Sequence, residues 1–189
     1  VVVRIEPGDI PEYPASDPLS LMKFQRDVER SVYDWVQKAR QGAGSTVKAA
    51  LSNAGASKPA LNPFSAPGQR MMDFCRGVLS TNLPASSYHP GVISAPLHEM
   101  LPEHVRLRLK YAFPQIGNKM RGYYTNDALL LGVESRTSSP VRIPRDPETL
   151  QHTQLSGLYP CGEGAGYSGG IVSSALDGIN CAERIANGR

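Results

Sequence analysis

The sequence predicts a mixed α/β chain, of α+β type over this length. Three observations predict it. Residues 18–41 and 102–113 carry apolar side chains three and four apart, the period of a helix with one buried face. Short runs at 1–5, 128–133 and 157–162 read as extended segments. Near the C-terminus a glycine-rich turn joins the last of these runs to a final helix.

The elements follow in chain order. Val1 to Ile5 is β-branched and reads as a strand closed by the turn Pro7-Gly8-Asp9. Residues 7 to 18 hold four prolines and exclude helix. Asp17-Pro18 is a helix start, an acceptor at the cap and proline at the first turn. Leu21, Phe24, Val28, Val32, Trp35 and Ala39 then mark one face, read as core, and Gln41-Gly42-Ala43-Gly44 ends the helix. Residues 42 to 68 are rich in Gly, Ala, Ser, Asn and Pro and read as a surface insertion. A short helix is predicted around Met71 to Leu79, and irregular chain over 80–96. From Pro102 to Phe113 a second amphipathic helix turns Leu101, Val105, Leu109 and Ala112 to one side, with Pro114 just past its end. Ala128 to Val133 reads as a buried strand, Val141 to Ile143 as a short extended piece, and 144–156 as a polar loop. The last helix runs from Ser168 toward Ala186, with Ile171, Ala175, Ile179, Ala182 and Ala186 expected to face inward.

Composition narrows the class. Twenty basic against 17 acidic residues give +3, and no dense basic patch exists, which argues against a nucleic-acid partner. Arg106, Arg108 and Lys110 alternate with apolar residues and read as a solvated helix face. Three cysteines with wide gaps imply no disulfide framework and a reducing compartment. No apolar run has the length to span a bilayer, and no signal peptide is visible. The expectation is a soluble intracellular protein of the cytoplasm or a plastid stroma. The chain opens on Val1 rather than Met, so a processed chain or a piece of a longer one is expected. His89, His98, His104 and His152 lack the spacing of metal ligands; no metal is expected.

The segment from Gly157 to Ile171 carries most information. Its glycines permit positive φ and close ligand approach, and the helix that follows offers unpaired N–H groups and a positive dipole end. Residues 164–169 match G-x-G-x-x-G in form. A Rossmann pyrophosphate site is excluded, because that fingerprint must open a βαβ unit with an acidic residue about 20 positions later. Either a ligand-facing turn or a plain strand–helix turn fits these residues. Glu163 could accept hydrogen bonds from sugar or ribityl hydroxyls, or stand as a solvated loop carboxylate.

The run from Gly157 through Ile179 resembles the C-terminal flavin signature of a family of FAD-dependent dehydrogenases found in bacteria and plastid-bearing eukaryotes, most without an assigned substrate. Asp127-Ala128 with Gly132-Val133-Glu134-Ser135-Arg136-Thr137-Ser138-Ser139-Pro140-Val141-Arg142-Ile143 resembles a second block of that family. Phe24-Gln25-Arg26 resembles a third, and Pro90-Gly91-Val92 with Leu101-Pro102 a looser fourth. The family's N-terminal strand–glycine–helix fingerprint is absent, and the stretch from Gly42 to Gly68 is longer than the family pattern.

The resemblance implies the C-terminal part of a glutathione-reductase-type FAD-binding domain plus part of an inserted substrate or cap domain. Residues 1–126 would belong to the inserted domain and residues 127–189 to the FAD domain. FAD is the implied cofactor, with a missing N-terminal FAD-domain segment or a partner chain completing the site and a small molecule as substrate. Gly162 and Glu163 would meet the ribityl–phosphate region, with Gly164 and Gly166 also among the cofactor-binding residues. Gly169, Gly170 and Ile171 would turn backbone N–H groups to the pyrimidine edge of the flavin. Arg136, Thr137 and Ser138 would lie near the ring, with Arg136 and Ser138 as candidate catalytic groups; a surface arginine beside a capped turn is the other reading. Cys161, beside the flavin signature, reads as a small buried residue, a redox thiol being the other reading, and Tyr123-Tyr124 reads as packing rather than a pocket wall. The implied activity is hydride or electron transfer through FAD. The alternative is a non-catalytic, flavoprotein-like subunit with a structural role in a larger complex.

Overall fold

A computed structural model describes residues 1–41, 63–136 and 138–188. The fold is mixed α/β. In order it has a 3-10 turn at Pro7–Asp9, α1 (Ser20–Gln41), β1 (Ala66–Arg70), α2 (Met71–Arg76), β2 (Val92–Ser94), α3 (Leu97–Met100), α4 (Glu103–Lys119), β3 (Leu129–Leu131) and α5 (Ile171–Asn187). The chain forms two compact units: residues 1–9 with 27–133, and residues 10–26 with 134–189.

The first unit is built on a three-stranded sheet of order β2-β1-β3, with β1 parallel to β2 and antiparallel to β3. Its middle strand is Ala66-Pro67-Gly68-Gln69-Arg70, the end of the stretch read as a surface insertion. That reading is corrected here for residues 66–68; residues 42–62 lie outside the described part. Proline and glycine both argue against a central strand, yet each is accommodated. The Pro67 carbonyl accepts from Gly132 N at 2.9 Å, and Ala66 N donates to the Gly91 carbonyl at 3.0 Å. Gly68 is needed for closeness: a Cβ there would stand 2.4 Å from Val92 Cγ1.

One face of this sheet supports a core of Met71, Phe74, Cys75, Leu97 and Phe113. Phe74 and Phe113 meet edge to face, with centroids 5.9 Å apart. Tyr123 and Tyr124 pack on the same cluster, as expected from sequence. Gln69 is fully buried and satisfied: its amide nitrogen lies 2.7 Å from both the Val78 carbonyl and His98 Nδ1, and its oxygen accepts from His98 N. Helix α1 follows its expected stripe, with Phe24, Val32 and Val36 buried and Trp35 half-buried.

Expectations for several elements change, among them the irregular reading of 80–96, which contains β2. Val1 to Ile5 is not a strand; it pairs with no strand among the described residues, and Val1 and Val2 are exposed. Helix α4 does not stop before Pro114 but runs through it to Lys119. The missing N–H costs one intrahelical bond, while burial of Phe113 holds that turn on the core. The 128–133 run shortens to an edge strand whose Leu131 is exposed rather than buried. Neither 141–143 nor 157–162 forms a strand; both are loop segments held by side-chain bonds described below.

Arg108 stays exposed, as expected, but carries an ion pair. It forks onto Asp9, with Nη1 to Oδ2 at 2.9 Å and Nη2 to Oδ1 at 2.5 Å. This pair lowers the Asp9 carboxyl to about 2, the Arg108 hydrogen bond being the largest cause. A depressed carboxyl stabilises the fold fully above its unfolded value, about 3.9, and loses that contribution as pH falls toward 2. Asp9→Asn is therefore expected to melt below the parent at neutral pH, with the gap closing on acidification through this window. A gap in melting temperature that stays constant down to the acid limit would refute the linkage.

Candidate functional site

The second unit gathers the sequence blocks that were far apart in the chain. Its glycine turn runs from Gly162 to Gly170 and leads into α5. Gly162 (φ +71°) and Gly166 (φ +81°) hold left-handed conformations that side chains rarely adopt. Gly166 N donates to the Glu163 carbonyl at 2.9 Å and Tyr167 N to the Gly162 carbonyl at 3.1 Å, which closes the turn on itself. At its end Ser173 Oγ accepts from Gly170 N at 3.1 Å and donates to the Gly170 carbonyl at 3.0 Å. One of the three N–H groups expected to point at a ligand is thus taken by α5's own first turn.

The segment 138–143 packs on this turn. Ser139 Oγ reaches the Val141 carbonyl at 2.8 Å and the Gly164 carbonyl at 3.4 Å. Ile143 N donates to the Ala165 carbonyl at 3.1 Å, and Tyr167 Oη to the Ile143 carbonyl at 2.9 Å. A Cβ on Gly166 would lie 2.5 Å from the Val141 carbonyl oxygen, so glycine is required there by this contact as well as by φ. The third block joins too: Gln25 Nε2 donates to the Ser135 carbonyl at 2.9 Å. Arg136, Ser138 and Glu163 are exposed, and Thr137 lies outside the described residues.

What fixes the turn on the helix is a part-buried ion pair. Arg145 forks onto Asp177 of α5, Nη2 to Oδ1 at 2.7 Å and Nη1 to Oδ2 at 3.0 Å; the side chains are 10 % and 14 % exposed. Asp177 Oδ2 also accepts from Gly162 N at 2.8 Å, and Arg145 Nη1 donates to the Pro160 carbonyl at 2.8 Å. The guanidinium lies 3.6 Å over the Tyr167 ring, whose other contact is Arg142 at 4.5 Å. The Arg145 hydrogen bond holds the Asp177 carboxyl below the usual carboxylate range, against burial, with Gly162 N–H adding to the effect. Arg145 is raised in turn, chiefly by Asp177. Sequence reading missed both residues. The signal available was a lone Asp inside a helix of small and apolar residues, a poor helix former there unless a partner claims it.

Helix α5 itself is oriented against expectation. Its inward side is Ser174, Asp177, Gly178, Cys181 and Ile185, while Ile171 is 92 % exposed and Val172, Leu176 and Ile179 are exposed with it. Ala175, Ala182 and Ala186 are exposed too. The helix turns inward the side that Arg145 and the turn require, and this leaves its apolar stripe outside. Cys161 is exposed, not buried as expected. Among the described residues no group of three or more His, Cys, Asp or Glu side chains is placed to hold a metal, and no helix is long and apolar enough to cross a membrane.

Gly164 differs from its neighbours. Its φ is not left-handed, and a Cβ added there would meet nothing within 4 Å. The chain's own packing does not demand glycine at this exposed position. Open space beside it leaves room for a ligand to approach the backbone.

Residues 49–137 match the model of a family described as "FAD-dependent protein, C-terminal domain-like". Over that segment the chain is similar to the family. An uncharacterized protein of Clostridium beijerinckii is 36 % identical over 187 residues, 98 % of this chain and 30 % of that relative. The chain thus spans under a third of the length of this relative. The family segment includes the whole sheet of the first unit and the beginning of the 132–143 block, and ends before the glycine turn.

Proposed function

We propose that the chain is the C-terminal portion of an FAD-dependent oxidoreductase, that residues 127–189 complete the flavin end of its FAD domain, and that residues 1–126 belong to a substrate or cap domain. The observation that carries this reading is that three resembling blocks are joined within one unit: Gln25 bonds Ser135 of the 132–143 block, and Ser139 and Ile143 of that block bond Gly164 and Ala165 of the glycine turn. Bound FAD would supply hydride acceptance and donation. The chain's own part is to hold and polarise it. Gly162, Glu163, Gly164 and Gly166 would follow the ribityl–phosphate region, with the Glu163 carboxylate accepting from hydroxyls. The N-terminal end of α5, at Gly169 to Ile171, would face the pyrimidine edge, where its positive dipole end favours negative charge. Arg136, Thr137 and Ser138 would lie toward the ring, Arg136 pairing with an anionic substrate or the flavin edge.

The exposed stripe Ile171, Val172, Leu176 and Ile179 supports a covering element that the longer relative has room for. The same stripe is what favours the second reading, a non-catalytic flavoprotein-like subunit that docks in a larger complex. An absorption spectrum of the purified protein with added FAD separates them. Stoichiometric flavin uptake, lost in Gly169→Val and kept in an exposed control such as Tyr111→Ala, is the expected result. A Gly169→Val protein with full FAD affinity would refute the placement of the turn.

A further inference from the structure

The second unit contains two cysteines that the proposed flavin site does not use. Both are free thiols; Cys161 is exposed and Cys181 is 3 % exposed. They are 20 positions apart in sequence, yet the ion pair draws them together. Asp177 takes Gly162 N, immediately after Cys161, and Cys181 follows Asp177 by one helical turn on the same face. A single nitrogen of Arg145 reaches the Pro160 carbonyl at 2.8 Å, immediately before Cys161, and Cys181 Sγ at 3.6 Å. The same guanidinium nitrogen thus touches the residue before Cys161 and the sulfur of Cys181.

We propose that Cys161 and Cys181 are a redox dithiol that a hydroperoxide oxidises to an intramolecular disulfide. Cys161 is the attacking group because it alone of the two meets solvent. Its thiolate takes one peroxide oxygen: the S–O bond forms, the O–O bond breaks, and the leaving hydroxide takes the proton Cys161 released, giving water. Cys181 sulfur then attacks Cys161 sulfur. The S–S bond forms, the S–O bond breaks, and the departing hydroxide leaves as water with the Cys181 proton. Two thiols lose two electrons and two protons, and hydrogen peroxide becomes two waters. Burial raises the Cys181 thiol, and the Arg145 guanidinium beside its sulfur opposes that and favours the thiolate needed for the second step. The bond would tie the glycine turn covalently to α5.

The test treats the purified chain with a small excess of hydrogen peroxide, denatures it, and alkylates it with N-ethylmaleimide. Cleavage after glutamate at 148, 163 and 183 puts Cys161 and Cys181 on separate peptides. The expected result is loss of two of the three reactive thiols, a cross-linked pair of peptides 149–163 and 164–183, and return of both thiols with dithiothreitol. In Cys181→Ser, Cys161 is expected to pass to the sulfinic acid instead. Sulfinic acid on Cys161 of the parent with Cys181 still alkylated, or Cys161–Cys161 dimers as the main product, would overturn the proposal. The parent's peptide map decides it even where the variant does not fold.

Discussion

Asp177→Ala is expected to destabilise the second unit by about 1–3 kcal/mol, the cost of leaving a part-buried charge without its partner. Arg145 keeps its burial and its place over Tyr167 but loses both strong hydrogen bonds, and Gly162 N loses its acceptor. The effect should reach the turn itself, because Gly162 and α5 are joined through this carboxylate. Urea unfolding checks the first part. The cause can be separated from mere loss of a side chain by the double replacement Arg145→Met with Asp177→Leu, which removes both charges. That variant should regain most of the lost stability. If it is as unstable as the single variant, the pair is not the reason. The pH dependence has a definite sign. The folded Asp177 carboxyl is depressed, so the contribution is present above the unfolded value of about 3.9 and disappears as pH falls below it.

Gly166→Val is expected to cost about 2–4 kcal/mol, since it combines a left-handed φ with a backbone clash. The Val141 carbonyl 2.5 Å from the new Cβ belongs to a segment pinned by Ser139 and Ile143, so it has little freedom to retreat. Gly164→Ala makes the informative comparison. It should leave stability within about 0.5 kcal/mol, because nothing lies near its Cβ and its φ is ordinary. If the turn faces FAD, Gly164→Ala weakens flavin uptake without weakening the fold. Equal flavin uptake by Gly164→Ala and the parent would remove the reason offered for that glycine.

The elements read best from sequence were those whose signal is local. Helix α1 keeps its stripe from Leu21 to Ala39, and α4 its Val105–Leu109–Ala112 face, because a one-sided apolar period leaves few other ways to bury the same residues. The central strand was illegible for a physical reason. Ala66-Pro67-Gly68 has the chemistry of a turn, and only the neighbours β2 and β3, remote in sequence, make it a strand. The orientation of α5 failed in the same way. Hydrophobicity alone turns Ile171 and Ile179 inward, whereas Arg145, from a loop read as merely polar, claims Asp177 and selects the other side. The glycine turn and the 132–143 block stood out in the sequence and pack together in the fold, but the arginine and aspartate that fix the turn on α5 carried no motif.

The outward stripe of α5 has a calorimetric consequence. The heat-capacity change on unfolding tracks the apolar surface newly exposed to water, typically about 12–15 cal/mol/K per residue. Ile171, Val172, Leu176 and Ile179 already meet solvent in the folded chain and so add little to that change. Scanning calorimetry of this chain should therefore give a smaller increment per residue than a closed domain, with a flatter stability curve. Whatever covers the stripe should restore the missing increment.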